Sequence, residues 1–268
     1  MIALCLIRDQ PHYRRDAFVR GLERAGYTLA SHGNARNADD LLVIWNRYGA
    51  NEQMADAWEA RGGTVLVAEN GYLGGDDQGR QRYALAAHGH NGSGWWPRNG
   101  PERFAALNVT LAPWVSRPDG YSLVCGQRGI GSRSMASPSN WHVGAAARSP
   151  QPARVRLHPG NKPDPKAPTL EQDLANAKLC VVWSSTSGVK ALVRGIPVLF
   201  DAPHWVCEHA AHRLVPARGG DQGVLRNDGA RQQALEDMAW AQWTVDELAS
   251  GEPFVLFRDA ARSGSIQW

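Results

Sequence analysis

The sequence predicts an α/β protein built of two Rossmann-like halves that face each other across a cleft, compact, with a kinked helical tail at the C-terminus. Three observations predict it. Apolar runs such as Leu41–Trp45 and Leu179–Trp183 are continuous rather than alternating, the pattern of parallel strands covered on both faces. Segments with helical spacing of apolar residues separate these runs. A Gly- and Trp-rich stretch from Gly71 to Pro118 then divides one such series from a second.

In the first series, Ile2–Ile7 reads as a strand. A helix near Tyr13–Ala25 follows, with Phe18, Val19 and Leu22 inward and Gly26 as its stop. Leu41–Trp45 is a second strand, Glu52–Arg61 a helix closed by Gly62-Gly63, and Thr64–Ala68 a third strand. The Gly71–Pro118 stretch carries one expected helix near Pro101–Ala106. The second series has strands at Tyr121–Cys125, Ala153–Leu157 and Leu179–Trp183, with a helix at Leu170–Ala177 opened by a Thr169/Gln172 capping box. Next comes a short helix after Ser184–Ser187, ended by Gly195, and then a strand at Ile196–Phe200. The terminal segment reads as helical, broken before Thr244, where Thr244 and Glu247 form a second capping box, and stopped at Gly251.

With 268 residues the chain can bury a sizeable core. No apolar run approaches 18 residues and no apolar leader opens the chain, so the expectation is a cytoplasmic protein with no membrane partner. Cys5, Cys125, Cys180 and Cys207 are widely spaced and read as reduced core thiols. Charge is uneven. Residues 1–112 hold 12 Arg and 12 acids, residues 113–220 hold 13 Lys and Arg against 6 acids, and residues 221–268 hold 4 against 8. The basic surplus therefore falls on the second series, which favours an anionic ligand there without demanding nucleic acid.

The Cys180–Phe200 stretch is a strand, a turn of small hydroxyl residues and a helix. Such a crossover leaves backbone N–H groups and the positive end of the helix dipole directed outward, which suits phosphate. Four clusters fall at strand ends of this half. They are Gly126 with Gln127, Arg128 and Gly129; Arg156 with His158, Pro159 and Gly160; Ser184, Ser185, Thr186 and Ser187 with Lys190; and Asp201, placed for a ribose hydroxyl. Each has a plainer reading as turn, structural histidine, N-cap or loop. In the first half, Glu69 and His90 are the candidate proton acceptors. His88, Asn91, Trp95, Trp96 and Arg98 are candidates for holding an acceptor, the tryptophans equally well as core. Two histidines at i, i+2 have no third ligand at a persuasive spacing, so no metal is expected.

The order Arg156-x-His158-Pro159, a capped helix, then Ser184-Ser185-Thr186-Ser187-Gly188-x-x-Ala191-Leu192-x-x-Gly195-x-Pro197-Val198 resembles the C-terminal half of GT-B glycosyltransferases. It is most similar to capsular-polysaccharide-type transferases, where such loops bind a nucleotide-sugar diphosphate. The likeness covers roughly residues 120–205. The His-Asn-Gly loop and the tail with Trp240, Gln242 and Trp243 are also similar to phage-encoded, DNA-modifying sugar transferases. The resemblance implies a metal-independent transferase with no cofactor beyond a nucleotide-sugar co-substrate, a UDP-sugar in the first instance. It implies an acceptor-side domain over 1–115, a nucleotide-sugar domain over 116–235 and a tail over 236–268 packing back on the first. The acceptor expected is a hydroxymethylated pyrimidine in double-stranded DNA, which would place the protein in the host cytoplasm. The alternatives are a capsule or surface-glycan acceptor, a UDP-sugar 2-epimerase, or a nucleotide- or DNA-binding module without catalysis.

Overall fold

The computed structural model describes residues 1–74, 82–160, 166–215 and 224–266. The chain divides into two compact units, Met1–Arg103 with Gly131–Arg133 and Asp237–Trp268, and Phe104–Ile130 with Ser134–Glu236. Each unit has one sheet, as a chain of two Rossmann-like halves requires.

In the first unit, β1 (Ile2–Cys5), α1 (Arg15–Arg24), β2 (Thr28–Ala30), β3 (Leu41–Trp45), α2 (Ala50–Glu59) and β4 (Thr64–Asn70) follow in order, then β5 (Arg82–Ala87) and the short α3 (Glu102–Ala105). From the C-terminal segment come β11 (Gln242–Thr244), α8 (Val245–Ser250) and α9 (Glu252–Arg262). The sheet order is β11-β5-β4-β3-β1-β2. β1 to β4 are mutually parallel; β5 runs antiparallel to β4, and β11 runs antiparallel to β5. This corrects two expectations, a wholly parallel sheet and an irregular Gly71–Pro118 stretch. β5 lies against β4 in antiparallel register, Leu66 opposite Ala87 and Asn70 opposite Tyr83. Its Ala-rich sequence carries little strand propensity, although Tyr83–Ala87 is buried throughout.

The tail departs from a purely helical one in the same way. Gln242-Trp243-Thr244 pairs with β5, filling the break expected before Thr244. The Thr244/Glu247 capping box then starts α8: Thr244 Oγ1 accepts from the Glu247 N–H at 3.2 Å, and a Glu247 carboxylate oxygen accepts from the Thr244 N–H at 2.7 Å. Gln242 is fully buried and its amide serves the backbone of Tyr72 and Leu73. α1 buries Ala17, Phe18, Gly21 and Leu22. A Cβ on Gly21 would lie 1.8 Å from the Leu248 carbonyl oxygen, so only glycine lets α1 and α8 approach so closely. Leu4, Leu42, Ile44, Ala55, Trp58, Val65 and Val67 form one core of this unit.

The second unit contains β6 (Tyr121–Cys125), α4 (Trp141–Arg148), β7 (Ala153–Arg156), α5 (Leu170–Ala175), β8 (Ala177–Val182), α6 (Thr186–Val193), β9 (Val198–Phe200) and β10 (His212–Arg213); α7 (Asp228–Ala239) follows. All pairings are parallel, in the order β10-β9-β8-β6-β7. Val124, Trp141, Ala145, Leu179, Val181, Leu199 and Leu214 form its core. α6 buries Gly188, Val189, Ala191 and Leu192. Gly195 ends that helix at φ 68°, and a Cβ there would sit 2.0 Å from the Pro113 carbonyl oxygen. Among the described residues, no helix is long and apolar enough to cross a membrane.

Candidate functional site

The strand order of the second unit has one topological switch. β6 continues to β7 through α4, while β8 continues to β9 through α6, so the chain leaves adjacent strands in opposite directions. In open α/β sheets the ligand crevice opens outside the carboxyl ends at this point. Gly126-Gln127-Arg128-Gly129 follows β6, and Ser184-Ser185-Thr186-Ser187 stands between β8 and the body of α6.

Gln127 ties the two strand ends together. Its Oε1 accepts from the Ser184 N–H at 2.7 Å, and its Nε2 donates to Ser184 Oγ at 3.4 Å. Ser185 is the N-cap of α6: its Oγ accepts from the Ser187 N–H at 3.2 Å and donates to Ser187 Oγ at 3.1 Å. The Cys125 thiol, hydrogen-bonded to Cys180 and Ser187 in that order of strength, is held below its ordinary pKa. Ser184 and Gln127 thus build the floor, while Ser185, Thr186 and Ser187 remain half-buried at the helix start.

His158 and Arg128 flank Gly160. A Cβ on that glycine would lie 3.1 Å from both Arg128 Nη1 and His158 Nδ1. The Gly160 N–H donates to His158 Nδ1 at 2.9 Å, which leaves the ring proton on Nε2 as a donor. Burial first, and the Arg128 charge second, hold this imidazole below its ordinary pKa. The neutral ring is therefore the state at neutral pH. Arg128 is exposed and makes no ion pair among the described residues. Gly129, also exposed, takes φ 24°.

Two other expected charged groups are engaged elsewhere, Arg156 and Asp201. Arg156 donates to the buried Asp173 carboxylate at 2.7 Å and to the Pro168 carbonyl oxygen. Arg154 pairs with the same carboxylate at 2.9 Å. Lys190 lies exposed on α6. Glu171 is held below its ordinary pKa by a backbone hydrogen bond first, then by Lys190, Arg194 and Arg156. Asp201, expected at a ribose, takes the Trp141 indole N–H at 2.6 Å and an Arg148 N–H on one oxygen. A strand-end carboxylate beside a buried indole and a guanidinium satisfies itself internally. One residue escaped the sequence reading. The His142 ring, in the first turn of α4, lies 3.6 Å from where a Gly126 Cβ would be, and no motif marked it.

In the first unit, Glu69 near the end of β4 and the buried His90 come together, His90 Nε2 standing 3.8 Å from Glu69 Oε1. Burial pushes the Glu69 carboxyl above its ordinary pKa, and the nearby His90 only partly offsets this. His88 does not join them. Its Nδ1 is 2.7 Å from Glu59 Oε1, inside an ion cluster with Arg47. Asn91 occupies a turn position at φ 52°. The tryptophans expected to stack on a ligand are packed. Trp96 is buried with its indole N–H on the Asp237 carbonyl oxygen at 2.8 Å, Arg98 lies over its ring at 4.7 Å, and Trp95 meets Phe257 edge-on at 5.6 Å.

No protein-family profile matches the chain, and no characterised protein matches it in sequence. Solved structures do match in fold. Thermosulfurimonas dismutans KpsC, the beta Kdo 2,7 transferase, aligns at 12% identity with a TM-score of 0.54, covering 94% of this chain and 98% of its own. The beta Kdo 2,4 transferase of the same KpsC aligns at 12% identity with a TM-score of 0.55, covering 97% and 98%. The fold is of the GT-B type.

Proposed function

We propose that this protein is a glycosyltransferase that moves a sugar from a nucleotide-sugar donor to a hydroxyl of a surface glycan. The observation that carries the reading is the pairing of strand ends at the β6/β8 switch point: Gln127 bonds Ser184 just before the capped start of α6, and its neighbour Arg128 lies beside neutral His158 at Gly160. These groups supply a guanidinium, an Nε2–H and helix-terminal N–H groups without a metal, and their work is to stabilise the charge that develops on the departing phosphate. In the reaction the anomeric C–O bond to phosphate breaks and its electron pair leaves with the nucleotide. The acceptor oxygen forms the new C–O bond, and its proton passes to the Glu69–His90 pair. A carboxyl raised towards neutrality is a better-matched base than an exposed one.

The charge inventory also refines the donor. With Arg156 committed to Asp173, Arg128 and Lys190 are the cations of the expected set outside an ion pair among the described residues, Arg128 beside a neutral imidazole. That supports a leaving group with a single phosphate at least as well as the diphosphate of a UDP-sugar. A glycan acceptor is favoured over an extruded DNA base because Trp95 and Trp96 are engaged in packing. The test is incubation of the full chain with UDP-, GDP- and CMP-linked sugars, with and without oligosaccharide or hydroxymethyl-DNA, in EDTA. Nucleotide release that depends on the oligosaccharide supports the proposal. Isomerised free donor means epimerisation, DNA-dependent release means the DNA acceptor, and binding without turnover means a non-catalytic module.

A further inference from the structure

The loop from His88 to Trp95 is rigid by construction. Ala87 and Trp95 exchange both backbone hydrogen bonds, at 2.7 and 3.0 Å, which closes its neck. A Cβ on Gly89 would meet Ser93 Oγ at 2.4 Å, and one on Gly94 would meet the Ala87 carbonyl oxygen at 2.4 Å, so both positions demand glycine. Ser93 Oγ accepts from the His90 N–H at 3.1 Å and donates to the His90 carbonyl oxygen at 2.8 Å. The loop begins at His88 with φ 67°, a conformation a non-glycine residue keeps only when its surroundings impose it.

Those surroundings are an ion cluster. Arg47, 9% exposed, grips Glu59 with both terminal nitrogens at 2.6 Å, reaches Asp56 at 2.7 Å and donates to the His88 carbonyl oxygen. Glu59 in turn holds His88 Nδ1. Burial pushes the Glu59 carboxyl up, but the His88 and Arg47 hydrogen bonds outweigh it and keep the group ionised. A buried ion cluster adds little net stability over apolar packing, yet it imposes geometry. Here it fixes both the ring and the carbonyl of the residue two before His90.

We propose that Arg47, Glu59 and His88 are positioning residues that set the His90 imidazole against Glu69. Among the described residues His90 Nδ1 is buried without a hydrogen-bond partner, so the ring has one useful face, the Nε2 edge turned to Glu69. Motion of the loop would lose that alignment. The inference rests on the proposed role of Glu69 and His90 in accepting the acceptor's proton.

The test uses the full chain carrying ring-15N histidine. The wild-type His90 ring should show a single, fixed pair of ring-nitrogen shifts. In Glu59→Gln and His88→Gln its ring-nitrogen shifts should move towards the averaged values of a mobile imidazole. Turnover should fall roughly 10-fold or more with the donor KM within about twofold, and Glu59→Asp should recover part of the loss. His88→Gln keeps the Arg47–Glu59 pair, so it carries the test if Glu59→Gln does not fold. Unchanged His90 shifts in folded variants would overturn the proposal. Changed shifts in a protein that transfers no sugar would uphold the positioning and reject the transferase reading.

Discussion

Gln127 and Ser184 are joined twice, backbone N–H to amide oxygen at 2.7 Å and amide nitrogen to hydroxyl at 3.4 Å, across the gap between β6 and β8. The pair holds the phosphate-type turn at its distance from the Gly126–Gly129 loop. Gln127→Ala leaves the buried Ser184 N–H without its partner, at about 1–3 kcal/mol. The expected outcome is a lower unfolding midpoint in urea together with weaker donor binding by calorimetry. Ser185→Ala removes the N-cap and should cost about 1 kcal/mol, with a comparable loss of donor affinity; unchanged affinity would reject this turn as the anion site.

Arg128→Ala is expected to weaken donor binding by roughly 10- to 100-fold, the range for a charge-assisted contact of ~1.5–3 kcal/mol. Stability should be nearly unaffected, because the side chain is exposed. His158→Ala should lower kcat more than Arg128→Lys does if Nε2–H acts on the leaving phosphate. Steady-state kinetics on the two variants decide this.

Glu69 links activity and stability with opposite signs. Its folded pKa lies above the unfolded one, so the unfolded chain ionises first as pH rises. Stability is therefore lost between the unfolded value and the raised folded value. Glu69→Gln should be as stable as the wild type or more so at neutral pH, and its transfer rate should fall ~10²- to 10⁴-fold. In the wild type, kcat should rise with pH through the raised value. A Glu69→Gln protein with full activity excludes the carboxylate as base.

Asp40 has the reverse sign. Fully buried, it accepts from the Ile2 and Arg36 N–H groups and from the Arg36 guanidinium. The Arg36 hydrogen bond, opposed by burial and helped by the backbone donors, lowers it to about 2. Its stabilisation is present above the unfolded carboxylate value of about 3.9 and disappears as pH falls through about 2. Asp40→Asn should cost about 1.5–3 kcal/mol at pH 7, with most of the difference from wild type gone by about pH 2. Urea melts at the two pH values check it.

Gly195→Ala should be the most damaging small substitution in the second unit. It combines φ 68° with a Cβ 2.0 Å from the Pro113 carbonyl oxygen, so α6 and the chain around Pro113 would have to part. The expected loss is about 2–4 kcal/mol, read from thermal melts.

The sequence by itself determined which segments become strands and helices wherever burial on both faces leaves a continuous apolar run, as in β3, β4, β6 and β8. It also determined both capping boxes and the residues at the β6/β8 switch, because turn and cap chemistry is local. It did not reveal β5 or β11, whose Ala-rich and Gln-Trp-Thr sequences become strands only through the partner they pair with. Nor did it separate ligand-facing charges from structural ones. Arg156, Asp201 and His88 carry the right chemistry at strand ends or in a candidate loop, yet Asp173, Trp141 with Arg148, and Glu59 occupy them. A side chain's type is written in the chain, whereas the group that neutralises it arrives from a distant segment. Tertiary structure alone decided that Arg128 makes no ion pair among the described residues and that Glu69 meets His90.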